Sequence, residues 1–138
     1  MAIRLRLRLE RGVRAIEVVA LVNSGYETIE PEILLPEPYA RQLGLFPNLP
    51  PGAVVKEYRL ADGSTTRLVR IPKAVDVSVV EDDRVVGGVT ANVLVSEGAD
   101  EPLISDKLAG KLGIVALDFG EGIWCFRDEI GSRRRVSR

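Results

Sequence analysis

Two segments of this chain spell nearly the same helix end: Ala40-Arg41-Gln42-Leu43-Gly44-Leu45 and Ala109-Gly110-Lys111-Leu112-Gly113-Ile114, 69 residues apart (112 less 43). Each follows an apolar strand-like run, a turn and a proline-bearing segment, with Val18–Val22 ahead of the first copy and Val93–Val95 ahead of the second. A Leu-Gly pair closing a helix is common, so a coincidental match stays open. Order and spacing agree as well as letters, which favours a strand–loop–strand–short-helix unit used twice. A chain of 138 residues has room for one domain with a real core. That combination narrows the fold considerably.

The rest of the chain reads as short strands. Ile3, Leu5, Leu7 and Leu9 alternate with Arg4, Arg6, Arg8 and Glu10, the period-2 pattern of a half-buried ribbon. Arg11-Gly12 breaks the run, and Val13–Val22 is the expected returning strand; its end, Val18–Val22, is apolar throughout and predicts cover on both faces. Asn23-Ser24-Gly25 follows as a turn-forming trio. Proline early and glycine late predict a short helix over Glu37–Gly44. Val54–Leu60 and Ser64–Ile71 flank Ala61-Asp62-Gly63, a hairpin signal. Further strands are expected at Val75–Val80, Val85-Val86 and Val89–Val95, with turns at Glu81-Asp82-Asp83 and Gly87-Gly88. Ser105 caps a predicted second helix running to Leu112. Ile123–Phe126 is a last strand, with Trp124 and Phe126 straddling the sheet and one of them in the core. The reading is an all-β domain with two short helices over residues 1–130, and a basic, mobile tail over residues 131–138.

Composition excludes several kinds of chemistry. There is no histidine and a single cysteine, Cys125. An internal disulfide, a Cys/His zinc site and the Ser-His-Asp and Cys-His mechanisms are therefore out, and no metal or cofactor is expected. Any chemistry must come from carboxylates, hydroxyls or lysines. The longest apolar run, Val18–Val22, is far short of the ~20 residues that span a bilayer, so no membrane partner is expected. No basic-then-apolar leader opens the sequence as given, which suggests a cytoplasmic location. One glutamine, three asparagines and an Arg-to-Lys count of 15 to 4 are compatible with a thermophilic source, which decides nothing about function.

The order Ala20-Leu21-Val22-Asn23-Ser24-Gly25, then Leu34-Leu35-Pro36, then Ala40 to Leu45 resembles the retropepsin-like aspartic proteases, closest to the small stand-alone archaeal and bacterial members. That family carries an apolar strand, then Asp-Thr/Ser-Gly, then a Leu-Leu-Pro, short helix and Leu-Gly-Leu segment. Tyr58-Arg59-Leu60-Ala61-Asp62-Gly63-Ser64 is similar to its flap hairpin. Pro102 to Ile114 is similar to the segment leading into its late helix, and Gly120-Glu121-Gly122-Ile123-Trp124 to a common ending. The resemblance runs from about Val18 to Phe126 and implies a closed, barrel-like acid-protease fold that forms a homodimer. Asn23, Ser24 and Gly25 of two subunits would meet beneath flaps formed by Leu60, Ala61, Asp62 and Gly63. The groove between them would accept an extended peptide as an added strand.

The sequence departs from the family at two places. Asn23 stands where the catalytic aspartate belongs, so a homodimer would present no carboxylate dyad, and the chain as written is expected to be impaired or inactive. Asn23 is a natural loss or an engineered replacement, and slow deamidation to aspartate is a third route. Second, Ser105 follows Leu103-Ile104 where the family has glycine, which questions the local turn. The trio alone also reads as a polar turn ending a buried strand. Asp62 reads first as a tight-turn residue, and Glu27, Glu30 and Glu32 as a solvated acidic loop. The main alternative function is a non-catalytic homodimeric peptide- or ligand-binding module. A second is nucleic-acid binding through the arginines of the first strand and of the tail, disfavoured by a net charge of −1 and by the lack of interleaved aromatics.

Overall fold

Alternation in the first strand is realised in full. In the computed structural model, which describes residues 2–59 and 61–138, Ile3, Leu5, Leu7 and Leu9 are each 0% exposed, while Arg4, Arg6 and Arg8 lie on the half-open face. This strand, β1 (Arg4–Arg11), turns at Gly12 into β2 (Arg14–Val22). Then come β3 (Glu32–Pro36), α1 (Glu37–Gln42), β4 (Val54–Arg59), β5 (Thr65–Val80), β6 (Val85–Ser96), β7 (Leu103–Ile104) and α2 (Asp106–Lys111). A second, three-stranded sheet follows: β8 (Ile114–Asp118), β9 (Ile123–Phe126) and β10 (Arg135–Val136). Among the described residues the protein is mostly β with two short helices, and no helix is long and apolar enough to cross a membrane.

The main sheet has the order β1-β2-β7-β3-β6-β5-β4, and β1 also pairs with β5. Six strands thereby close into a ring around the core, with β4 as an outer strand on the first half of β5. The ring is symmetric. Exchanging β1 with β5, β2 with β6 and β3 with β7 returns the same order, read backwards. Leu34 and Leu103, 69 positions apart, pair with each other at the centre. Parallel partners match too: Leu21 and Val22 lie beside Leu103 and Ile104, as Leu94 and Val95 lie beside Leu34 and Leu35.

The repeated letters occupy repeated geometry. Leu43 and Leu112 end α1 and α2 with φ of −85° and −78°. Gly44 and Gly113 follow with φ of +73° and +76°, a conformation that L side chains rarely adopt, which is why glycine recurs there. The sequence similarity between the two halves is therefore a similarity of backbone. Each half contributes a hairpin, a central strand and a short helix to one shared core.

Several expectations change. Ser64–Ile71 and Val75–Val80 are not separate strands but one, β5, bent at a bulge between Ile71 and Val75. Pro72 has no N–H for the ladder to lose there, and the Lys73 N–H donates instead to Asn92 Oδ1 at 2.8 Å. Gly87-Gly88 is not a turn: β6 runs through it with a second bulge opposite Val77 and Ser78. A Cβ at Gly87 would meet Val77 O at 2.5 Å, so the close strand approach needs glycine. Val18–Val22 is not covered on both faces, since Val19 is 44% exposed. Trp124 and Phe126 are both buried and touch edge to face, with ring centroids 5.0 Å apart. Residues two apart in a strand share a face rather than straddle it.

Residues 131–138 are also laid against the body rather than trailing from it. β10 pairs with β9, and the Arg138 N–H donates to Arg4 O at 3.0 Å. Arg135 is 4% exposed and grips Glu129 with two hydrogen bonds of 2.7 and 2.8 Å, while also reaching Asp83 at 2.9 Å. Charge complementarity with the Glu81-Asp82-Asp83 turn, which sequence spacing does not show, orders the tail.

The Arg135 guanidinium holds the Glu129 carboxyl at about 2, below its usual 4.5. A depressed carboxyl stabilises the fold above its unfolded-state pKa, and that contribution is lost as pH falls from 4.5 towards 2. Arg135→Ala should cost about 3 kcal/mol at neutral pH, because it leaves Glu129 buried without its main partner. It should also flatten the acid limb of the stability profile, as read by thermal melts across this pH range.

Candidate functional site

The end of β2 is where the sheet releases the chain. Leu21 N–H donates to Pro102 O at 2.9 Å, and Asn23 N–H makes a last long contact of 3.5 Å with Ile104 O. The next residues turn away. Gly25 N–H donates to Asn23 Oδ1 at 3.0 Å, and Tyr26 N–H to Asn23 O at 3.1 Å. Asn23 is half-buried, while Ser24 and Gly25 are exposed. Because Gly25 presents an N–H, the side-chain atom facing it must be the acceptor, so the Asn23 carbonyl oxygen is the atom held. A Cβ on residue 25 would stand 3.3 Å from that oxygen, so glycine permits the close approach.

The two-fold of the ring gives this turn a counterpart. Residue 23 corresponds to Ser96, at the end of β6, and Ala99 N–H donates to Ser96 O at 3.5 Å, as Tyr26 N–H does to Asn23 O. The counterpart reads Ser96-Glu97-Gly98 and carries no amide at the first position.

A polar cluster supports the turn from one side. The Tyr26 hydroxyl donates a short hydrogen bond to Glu32, whose residue is only 7% exposed. Burial, and then that bond, push the Tyr26 hydroxyl above its ordinary range, so it stays a donor. Arg70, on β5, reaches Glu32 and Glu30 at 3.4 Å each. Of the three acidic residues expected in a solvated loop, Glu27 and Glu30 are exposed, Glu30 with Arg70 beside it, whereas Glu32 is buried, ion-paired and part of β3. The pairing joins the segment after the turn to the strand that carries the 61–63 hairpin.

Ser105 explains itself. It takes an extended φ of −72°, where glycine has no advantage, and its Oγ accepts from Leu108 N–H at 3.2 Å as the cap of α2. The same Oγ accepts from the buried Glu32 N–H at 3.2 Å. One hydroxyl thus ties α2 to β3 directly beneath the cluster. Asp106, next in the chain, accepts from Thr28 N–H at 3.1 Å and donates its own N–H to Tyr26 O at 2.9 Å, pinning the loop. The sequence offered one signal for this, a serine three residues before the first buried position of a short helix, but not its second partner.

Ala61, Asp62 and Gly63 form an exposed turn between β4 and β5, whereas Leu60 lies outside the described residues. Asp62 Oδ1 accepts from the Ser64 hydroxyl and N–H at 2.6 and 2.9 Å, which holds its carboxyl below the usual range. It acts as a turn residue. No hydrogen bond joins this hairpin to the Asn23 turn within the chain among the described residues. No group of three or more metal-ligating side chains occurs among them either. Burial raises the Cys125 thiol, which makes it a poor nucleophile.

Comparison with known proteins is silent. No family model matches the sequence, and no curated protein or solved structure matches it. Function must therefore be argued from the site.

Ser105→Ala should cost about 2 kcal/mol, because it removes a helix cap and leaves the buried Glu32 N–H without an acceptor. Ser105→Gly restores some of the cap but not the Glu32 partner, so it should fall between Ala and the parent in urea unfolding.

Proposed function

We propose that this chain is a retropepsin-like aspartic-protease-family domain that acts as a homodimer and, as written, binds extended peptide with little or no cleavage. The observation that carries this is the Asn23 turn itself. It sits at the end of a strand paired in parallel with the second half's central strand, in a two-fold ring, with its side-chain oxygen held by Gly25 N–H.

The chemistry of the family needs two carboxylates sharing one proton: one activates water, and the other donates to the scissile carbonyl. Two facing Asn23 side chains keep the shape but lose both tasks. An amide nitrogen takes up no proton near neutral pH, and its oxygen is too weak a base to activate water. Acid–base work alone accounts for roughly 10²–10⁴-fold in rate, and loss of the water activator removes more. Binding survives, because the NH₂ and the free lone pair of Asn23 still hydrogen-bond.

Two further observations support a peptide groove. β4 is an outer strand with one side unpaired, and Val54 and Val55 are each 48% exposed on it. On one face of the sheet, Val54 and Lys56 of β4, Leu68 and Arg70 of β5 and Leu94 of β6 line a recess of about 140 Å³. An unpaired edge strand suits an added strand, and the adjoining recess offers both apolar and cationic side chains. The nucleic-acid reading loses ground, since Arg133, Arg135 and Arg138 are each paired with acidic groups of the same chain.

Asn23→Asp should produce acid-dependent, pepstatin-sensitive peptidase activity, at least about 10²-fold above the parent, in a protein that sediments as a dimer. A folded, dimeric Asn23→Asp that cleaves nothing in a broad peptide library would sink the protease reading and leave the peptide-binding module. A monomer at all accessible concentrations would remove both.

A further inference from the structure

We propose that Asn23 is a self-deamidation site, so that the chain can acquire an aspartate at this position after synthesis. The consequence for catalysis rests on the protease reading above. The modification itself rests only on the geometry of the turn.

The chain has three asparagines, and their surroundings differ in the features that govern cyclisation. Asn92 is 3% exposed within β6, its Oδ1 accepts from Lys73 N–H, and the branched Val93 follows it. Asn48 is exposed, but the bulky Leu49 follows, and among the described residues no hydrogen bond across a turn holds its side chain. Asn23 has left the sheet, and the small, exposed Ser24 follows. Asn23 therefore combines a small, exposed following residue outside the strand ladder with a side-chain oxygen already held across a turn, whereas Asn48 is followed by a bulky residue and Asn92 lies within a strand.

The hydrogen bond across the turn adds a second element. With Oδ1 bound to the N–H two residues on, the Asn23 side chain folds back over the Ser24 peptide. That is the side from which Ser24 nitrogen must reach Cγ. As the new C–N bond forms, negative charge develops on Oδ1, and Gly25 N–H already stands 3.0 Å away to receive it. The donor that holds the amide in the resting turn is thus placed to stabilise the tetrahedral intermediate.

The steps balance with water as the only co-reactant. Ser24 backbone nitrogen loses its proton to solvent and attacks Asn23 Cγ. The Cγ–Nδ2 bond then breaks, and the nitrogen leaves as ammonia after protonation. The resulting five-membered succinimide is opened by water. Attack at Cγ gives aspartate, and attack at the backbone carbonyl gives isoaspartate. In the aspartate product, a carboxylate oxygen takes the place of Oδ1 against Gly25 N–H.

The test is to age the full chain at mildly alkaline pH and raised temperature, following intact mass and released ammonia, and to locate any change by peptide mapping. The expected result is the amide-to-acid mass gain at residue 23 before residues 48 and 92. Ser24→Pro, which has no backbone N–H to give up, should abolish the gain at residue 23. Gly25→Ala, which crowds Oδ1, should slow it by roughly tenfold, and covers the case in which Ser24→Pro does not fold. An unchanged mass, a gain that appears first at Asn48 or Asn92, or a Gly25→Ala variant ageing as fast as the parent would overturn the proposal. The two readings fail separately. Aged protein carrying an aspartate at position 23 supports the modification even if Asn23→Asp cleaves nothing. An active Asn23→Asp beside aged protein that keeps its amide overturns the modification and leaves the protease reading standing.

Discussion

The shortest strand of the main sheet holds the molecule together. β7 is only Leu103 and Ile104, yet it lies between β2 and β3, parallel to one and antiparallel to the other. Without it the two hairpins have no common centre and the ring is open. Its partners are about 70 to 80 residues away in the chain, so its pairing is as non-local as any in the fold. Such contacts are entropically costly to close, and burial of Ile33, Leu35 and Ile104, all 0% exposed, offsets that cost. The Asn23 turn begins where β2 leaves β7, and α2 begins one residue after Ser105, which directly follows β7. Turn, cap and polar cluster inherit their positions from these two residues.

Around that centre single polar groups serve several partners. Ser105 Oγ serves both the α2 cap and the Glu32 N–H, and Glu32 in turn receives Tyr26 and Arg70. A buried carboxylate costs heavily unless it is satisfied in this way. The result is a turn whose backbone is fixed from below while Ser24 and Gly25 face solvent. A rigid support under an exposed polar tip is the arrangement on which the proposed function rests.

Much of the fold is legible in the sequence. The β1 alternation, both helices, the Leu-Gly ends and the Asp-Gly hairpin follow from local rules, because each depends on neighbours within a few residues. The bulges at Pro72-Lys73 and Gly87 read locally as breaks. Proline and glycine mark turns and bulges alike, and only the partner strand decides between them. The tail misleads for a similar reason: Arg133, Arg135 and Arg138 look solvated until Glu81, Asp83 and Glu129 are brought alongside. At the site, the Asn23 turn is visible from its letters, but the joining of Tyr26, Glu32 and Arg70 is not, since their spacing matches no motif.

By itself the sequence determined the first hairpin, both short helices, the repeated helix end and the absence of histidine chemistry, because these are properties of composition and short-range periodicity. It also placed an amide at the tip of the second strand, which decides whether acid–base chemistry is available there. Tertiary structure alone decided that the repeat extends to a two-fold in the strand order of the ring, that Glu32 is a buried anchor rather than a solvated charge, and that the C-terminal arginines bind the body. Those outcomes depend on which distant groups share a low-dielectric contact, and no local pattern encodes that.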